Sequence, residues 1–192
     1  MNKHAAIVRA EPEPQVRSTP ARFTAAEFMR MAEAGAFDDM KIELVDGELE
    51  RMNPPMSNHS WYQSEVFAAL LPIARAAGLF ALAETGLRVG ESTIRACDVA
   101  LVRTRPDTNR LFSAPDIVLA VEIAETTLAR DMGPKRTDYA RIGIAQYWVV
   151  DSARSVVHVF GEPIDGDYAQ VRTIRFGEPL DVPGTDGTIT ID

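Results

Sequence analysis

The chain has 192 residues, 46 % of them apolar and 25 % charged, which is typical of one globular domain and excludes collagen-like and disordered chains. Its formal net charge of −8 argues against a protein that coats nucleic acid through a broad basic surface. Its one cysteine, Cys97, excludes an intrachain disulfide, and no apolar run reaches the ~18 residues of a membrane span, so we expect a cytoplasmic protein with no membrane partner.

The N-terminal third predicts a short arm, a helix and a β-hairpin. Residues 1–20 are rich in Pro, Glu, Ala and Arg without a regular apolar period, so we interpret them as a mobile arm preceding a single domain over 21–192. Thr24-Ala25-Ala26-Glu27 is a capping box that opens a helix, and Gly35 is placed to end it. Asp46-Gly47 separates two β-like runs and favours a type I′ hairpin turn.

The remainder alternates between helical and strand patterns. Apolar spacing predicts a helix over 58–77, which Pro72 should kink or shorten and Gly78 should stop. Pro134 fits the first turn of another helix running to Ile142. Strands are predicted over 79–83, 86–89, 95–103, 116–124, 146–150 and 155–160, with edge strands from Tyr168 onwards. We therefore expect an α/β (α+β) fold with a mixed central sheet flanked by helices.

Two acids interrupt apolar strands. Period-two alternation places Asp98 on one face with Ala96 and Ala100, and Glu122 between Ala120 and Ala124. Two buried carboxylates on neighbouring strands would repel each other unless a cation lay between them, and small neighbours leave room for water and a phosphate. A divalent-metal site is one interpretation. The other is that each acid pairs with a base such as Arg95 or Arg103.

The chain resembles the Uma-two family of bacterial nucleases, which belongs to the PD-(D/E)xK superfamily of restriction-endonuclease-like folds. The resemblance covers roughly residues 23–161. It rests on these blocks: Ile42-Glu43-Leu44-Val45-Asp46-Gly47-Glu48, His59, Cys97-Asp98-Val99-Ala100, Val121-Glu122-Ile123-Ala124, Lys135, Tyr139, Gly143, and Gln146-Tyr147-Trp148-Val149-Val150-Asp151. It implies a restriction-endonuclease-like core with an N-terminal helix and extra β-hairpins.

The resemblance also implies the chemistry of the site. Asp98 and Glu122 would ligate Mg²⁺ or Mn²⁺, and Lys135, 13 residues after Glu122, would take the place of the lysine usually found two residues after the second acid, where this chain has Ala124. A second departure is Glu125, where the family commonly has serine; the extra carboxylate could ligate a second ion or repel the substrate. Glu43 could be a further catalytic ligand or an exposed hairpin carboxylate.

Two residues are predicted to bind substrate. His59 opens the long helix and could contact phosphate or act as a general acid, although packing at the helix start explains it slightly better. Tyr139 lies one turn after Lys135 and could buttress that lysine or touch the substrate, although simple packing is the alternative. Tyr147 and Trp148 fit a strand in the core better than a base-stacking surface.

Three functions are compatible with these features. The first is a Mg²⁺-dependent endonuclease with nucleic acid as substrate, and the second is an inactive nuclease fold that serves in binding or assembly. The third is a metal hydrolase of a small phosphoester, which the negative net charge tolerates better. The resemblance, together with exposed edge strands near the C-terminus, also predicts a homodimer.

Overall fold

The computed structural model describes residues 19–192. The predicted arm, residues 1–20, therefore lies outside the described residues except for its last two. Within the described part no helix is both long enough and apolar enough to cross a membrane.

The N-terminal elements form as the sequence predicts. Helix α1 (Ala25–Glu33) begins with a complete capping box between Thr24 and Glu27, and Gly35 follows its end with a φ of +80°. Strands β1 (Ile42–Val45) and β2 (Glu48–Arg51) pair antiparallel across Asp46 and Gly47, whose φ values of 48° and 84° fit a type I′ turn. Helix α2 (Ser57–Ala76) continues through Pro72, so the predicted shortening at this proline is not found.

The central sheet is mixed, as predicted. Its remaining strands are β3 (Phe80–Arg88), β4 (Ile94–Val102), β5 (Ile117–Ala124), β6 (Gln146–Asp151), β7 (Val156–Ile164) and β8 (Asp167–Arg175). They follow the order β2-β1-β4-β5-β6-β7-β8, with β3 also paired to β4, and only the β5–β6 pair is parallel. Strands β9 (Leu180–Asp181) and β10 (Thr188–Ile189) form a separate ribbon.

Two sequence predictions are corrected here. Residues 79–83 and 86–89 are not two strands, because β3 is continuous and only Glu84, with a φ of 50°, interrupts its pairing with β4 opposite Asp98. The helix around Pro134 also begins earlier than predicted. It comprises α3 (Leu128–Arg130), a π-helical turn (Asp131–Lys135) and α4 (Arg136–Arg141). Pro134 lies inside the π-helical turn, whose wider backbone relieves the clash of a proline ring with the preceding turn.

The sheet separates two hydrophobic clusters. Helix α2 packs on one face, where Val66 and Leu70 meet Val99, Leu101 and Trp148. Helix α4 packs on the other face, where Tyr139 and Ala140 meet Ala100, Ala120 and Tyr147. Strict alternation along β4 would place the Cys97 side chain on the same face of the sheet as Val99, but Cys97 belongs to the second cluster and Val99 to the first. The alternation of side chains between the two faces is therefore interrupted at Asp98. Burial of Tyr147 and Trp148 confirms that they are core residues.

Candidate active site

The candidate site lies where two strands leave a gap beside β4. On one side of β4, β1 pairs only at Leu44 with Ile94, and β5 pairs only from Val99 onwards. Ala96 falls between these two pairings, so its backbone groups have no strand partner there. Both backbone groups form hydrogen bonds with side chains instead: the N–H of Ala96 donates to Glu43 Oε1 at 3.0 Å, and its carbonyl accepts from Lys135 Nζ at 2.7 Å. The gap thus gathers charged side chains from distant parts of the chain.

Lys135 occupies the centre of this group. Its Nζ donates to Glu122 Oε1 at 2.9 Å and lies 3.1 Å from Glu43 Oε1, while the residue as a whole is 1 % exposed. The structure therefore brings Lys135 to Glu122 from the helical segment, as the resemblance implies. Ala124, at the usual lysine position, packs into the cluster beneath α4 instead.

Glu43 is a buried member of the group and not an exposed hairpin carboxylate. It is 3 % exposed, and its second oxygen, Oε2, accepts from Arg95 Nη1 at 3.1 Å. Arg95 also donates to Asp138, at 2.9 Å. Arg95 therefore does not pair with Asp98 or Glu122, and Arg103 donates to the carbonyl of Pro115 instead. Both oxygens of Glu43 already have partners, which disfavours it as a metal ligand.

Asp98 is held by groups from two elements, α2 and β5. Its Oδ2 accepts from the backbone N–H of Ile123 at 2.7 Å and from His59 Nε2 at 3.2 Å, while Gln63 donates to its backbone carbonyl. His59 is thus in the site, where it orients Asp98; whether it also touches a substrate stays a prediction.

Tyr139 lies behind Glu122, not in the cleft. It is 0 % exposed, and its hydroxyl donates to Glu122 Oε1 at 3.0 Å. The predicted contact with substrate is not supported by this position, because the ring is enclosed in the core beneath α4. Its position instead suits orienting Glu122.

Burial and neighbouring charges act in opposite directions on these groups. Burial raises the pKa of the Glu122 carboxyl well above its usual range, and the Lys135 ammonium opposes that rise. Burial disfavours charge on Lys135, but Glu122 and Glu43 outweigh it and raise the pKa of the ammonium. Burial likewise opposes charge on Asp98, yet the hydrogen bond and charge of His59 hold the pKa of that carboxyl below its usual value. Asp98 and Lys135 are therefore charged at neutral pH.

An open cleft of about 760 Å³ reaches these residues. Its lining carries six carboxylates and four lysine or arginine side chains, so one divalent cation would bring the formal charge to zero. Asp98, Glu122, Glu125 and Lys135 lie in this lining, and an apolar part is formed by residues that include Phe28, Phe37, Met40, Ile42 and Met52.

The two central carboxylates fit a hard divalent cation. Among residues 19–192, no three His, Cys, Asp or Glu side chains converge into a complete ion site. Asp98 Oδ1 and Glu122 Oε2, however, have no hydrogen-bond partner within that part of the chain, and both residues line the cleft. Mg²⁺ commonly takes one or two carboxylates and retains several waters, so the chemistry of these two donors suits such an ion.

Sequence reasoning missed three residues of the site. Arg130 lines the cleft, Asp131 is buried beside it, and Gln63 holds the backbone at Asp98. The only available signal for Asp131 was its position four residues before Lys135, on the same side of a helical turn.

Comparison with known proteins defines the class of fold. A crystal structure of "a putative nuclease belonging to DUF820" from Anabaena variabilis ATCC 29413 superposes with a TM-score of 0.70 at 17 % identity, covering 88 % of this chain and 94 % of that one. The predicted restriction-endonuclease-like α/β core is thereby confirmed.

The sequence comparison then gives the family. The family model described as "Uma2: Putative restriction endonuclease" matches residues 25–191, and the chain belongs to this family. A search of curated proteins found no match.

Proposed function

We propose that this protein is a metal-dependent nuclease that hydrolyses phosphodiester bonds of DNA or RNA. The observation that carries the proposal is that Asp98 and Glu122 both line one open cleft, with Lys135 donating a hydrogen bond to Glu122. Membership of the Uma2 family and the fold shared with a protein described as "a putative nuclease" support it.

The chemistry requires a water to attack phosphorus while the bond from phosphorus to the leaving sugar oxygen breaks and that oxygen gains a proton. Mg²⁺ or Mn²⁺ held by Asp98 and Glu122 would supply Lewis acidity and a more acidic bound water. The side chains of the protein prepare the ligands. Lys135 compensates the charge of Glu122, Tyr139 fixes its Oε1, and His59 with the Ile123 N–H fixes Asp98.

The experiment is a cleavage assay on plasmid, linear duplex, single-stranded DNA, structured RNA and free nucleotides, with Mg²⁺, Mn²⁺ or EDTA. We expect ion-dependent cleavage of a polynucleotide, and a loss of at least ~10²-fold in Asp98→Asn and in Glu122→Gln. Both changes keep the shape of the side chain and remove its charge. Arg136→Met is the control, because Arg136 pairs with Asp167 away from the cleft.

The outcomes separate the alternatives. Hydrolysis of free nucleotides alone would favour a small-phosphoester hydrolase, for which the excess of carboxylates in the cleft is the supporting observation. Binding without cleavage would favour the inactive binding module. Cleavage that survives in both acid variants would overturn the proposed site.

A further inference from the structure

Lys135 is enclosed by protein oxygens. An ammonium group has three donors, and the oxygens of Ala96, Glu122 and Glu43 lie 2.7, 2.9 and 3.1 Å from Lys135 Nζ. The residue is also almost fully buried. Lys135 is therefore suited to hold the two glutamates together, and a phosphate in the cleft needs another cation.

Arg130 provides such a cation. It is the last residue of α3, its side chain is 27 % exposed, and it lines the same cleft as Asp98 and Glu122. Of its five guanidinium donors, Nε bonds Asp131 Oδ1 at 3.3 Å and Nη1 contacts Met52 Sδ at 3.4 Å. Within residues 19–192 no other hydrogen bond of this guanidinium is found, which leaves its Nη2 edge for a ligand.

Asp131 fixes the direction of that guanidinium. Its side chain is 1 % exposed and accepts from the Thr127 hydroxyl at Oδ2, while its backbone carbonyl accepts from the Tyr147 hydroxyl at 3.0 Å. Tyr147 belongs to the central sheet, so Asp131 is anchored to the core. An arginine held through Nε presents its terminal nitrogens as a fork, the geometry that matches phosphate oxygens.

The other two cleft cations lack this arrangement. Lys41 pairs with Glu84 at the rim, where both side chains are half exposed. Arg51 is exposed on the edge strand β2, with no ion pair among the described residues. A phosphate contact through Lys41 or Arg51 would fix a flexible side chain at an entropic cost that the anchored Arg130 avoids.

We propose that Arg130 is the phosphate-binding residue of the cleft, that its guanidinium contacts the non-bridging oxygens of a phosphodiester, and that Asp131 is its positioning residue. This inference rests on the proposed function for the identity of the polymer, but the phosphodiester contact itself is independent of cleavage.

The first test uses dimethyl phosphate, the smallest phosphodiester, added to the metal-free wild-type protein. The side-chain Nε–Hε signal of Arg130, assigned with Arg130→Lys, should shift in a saturable manner beyond the shift caused by NaCl at equal ionic strength. The signal of Arg51 should follow the NaCl control. An Arg130 signal that also follows NaCl would overturn the proposal.

The second test compares variants in cleavage of whichever polynucleotide the wild type cuts. Arg130→Met should lower kcat by ~10²–10³-fold, Arg130→Lys should recover part of it, and Arg51→Met should be close to wild type. Equal rates in wild type and Arg130→Met would refute the phosphate contact and leave the nuclease function standing. A protein that cuts nothing, but shows the dimethyl phosphate shift, would refute the nuclease function and retain the contact.

Asp131→Asn separates positioning from general stability. Asparagine keeps the side-chain volume and the acceptor for Thr127, but weakens the hold on Arg130 Nε. We expect a faster exchange of the Arg130 Nε–Hε proton with water and a smaller kcat loss than in Arg130→Met. An unchanged Nε–Hε signal in this variant would remove Asp131 from the mechanism.

Discussion

Replacing Lys135 by methionine perturbs the site most directly, because methionine retains the aliphatic length and removes only the charge. In the wild type the ammonium lies between two carboxylates, Glu122 and Glu43, that are 2 % and 4 % exposed at their side chains. Removing one partner of a buried ion pair typically costs ~3–5 kcal/mol, since the other charge is left uncompensated. For a domain of this size that is a fall in Tm of roughly 6–20 °C.

The cost should depend on pH. Burial already raises the pKa of Glu122, and loss of the ammonium raises it further. A carboxyl with a raised pKa binds more protons when folded than when unfolded. The resulting loss in the free energy of unfolding is therefore small below the unfolded pKa of about 4.3, and it grows as pH rises towards the folded pKa. Urea unfolding of Lys135→Met should show a larger loss at pH 8 than at pH 5.

A double-mutant cycle isolates the pair. Glu122→Gln should recover part of the stability lost in Lys135→Met, with a coupling energy above about 1 kcal/mol. Arg136→Met is the matched control one residue later: its partner, Asp167, is exposed, and its guanidinium lies 4.7 Å from the centre of the Phe160 ring, so we expect a loss of only about 1–2 kcal/mol. A loss in Lys135→Met that is no larger than the control, or equal at both pH values, would refute the ion-pair reasoning.

The other predictions concern metal binding, the hairpin, the core and assembly. Calorimetric titration with Mn²⁺ should give a binding signal in the wild type that disappears in both Asp98→Asn and Glu122→Gln; undiminished binding would remove the metal site. Gly47→Ala should destabilise by ~1–2 kcal/mol in thermal unfolding, because φ is +84° there. Trp148→Ala should lower the free energy of unfolding by ~3–5 kcal/mol, since the ring is fully buried against α2. A smaller loss would mean that the core collapses around the cavity. We propose a homodimer, and a monomer mass by light scattering at micromolar concentration would contradict it.

Local sequence patterns determined much of the fold. The capping box at Thr24, the Asp46-Gly47 turn and the apolar run that became β5 each depend on interactions within a few residues, so they are visible in the sequence. The resemblance also pointed to the acids Asp98 and Glu122. Continuity of β3 through Glu84 was not visible, because it depends on pairing with β4.

The tertiary structure decided how the site is connected. Glu43, Ala96, Glu122 and Lys135 are far apart in sequence and meet only because β1 and β5 leave a gap beside β4. No local pattern distinguishes a Glu43 buried against Arg95 from an exposed hairpin carboxylate, or an enclosed Lys135 from one that faces a substrate. Burial and hydrogen-bond partners are set by neighbours from other elements, and these neighbours place Arg130, paired with Asp131, in the lining of the cleft.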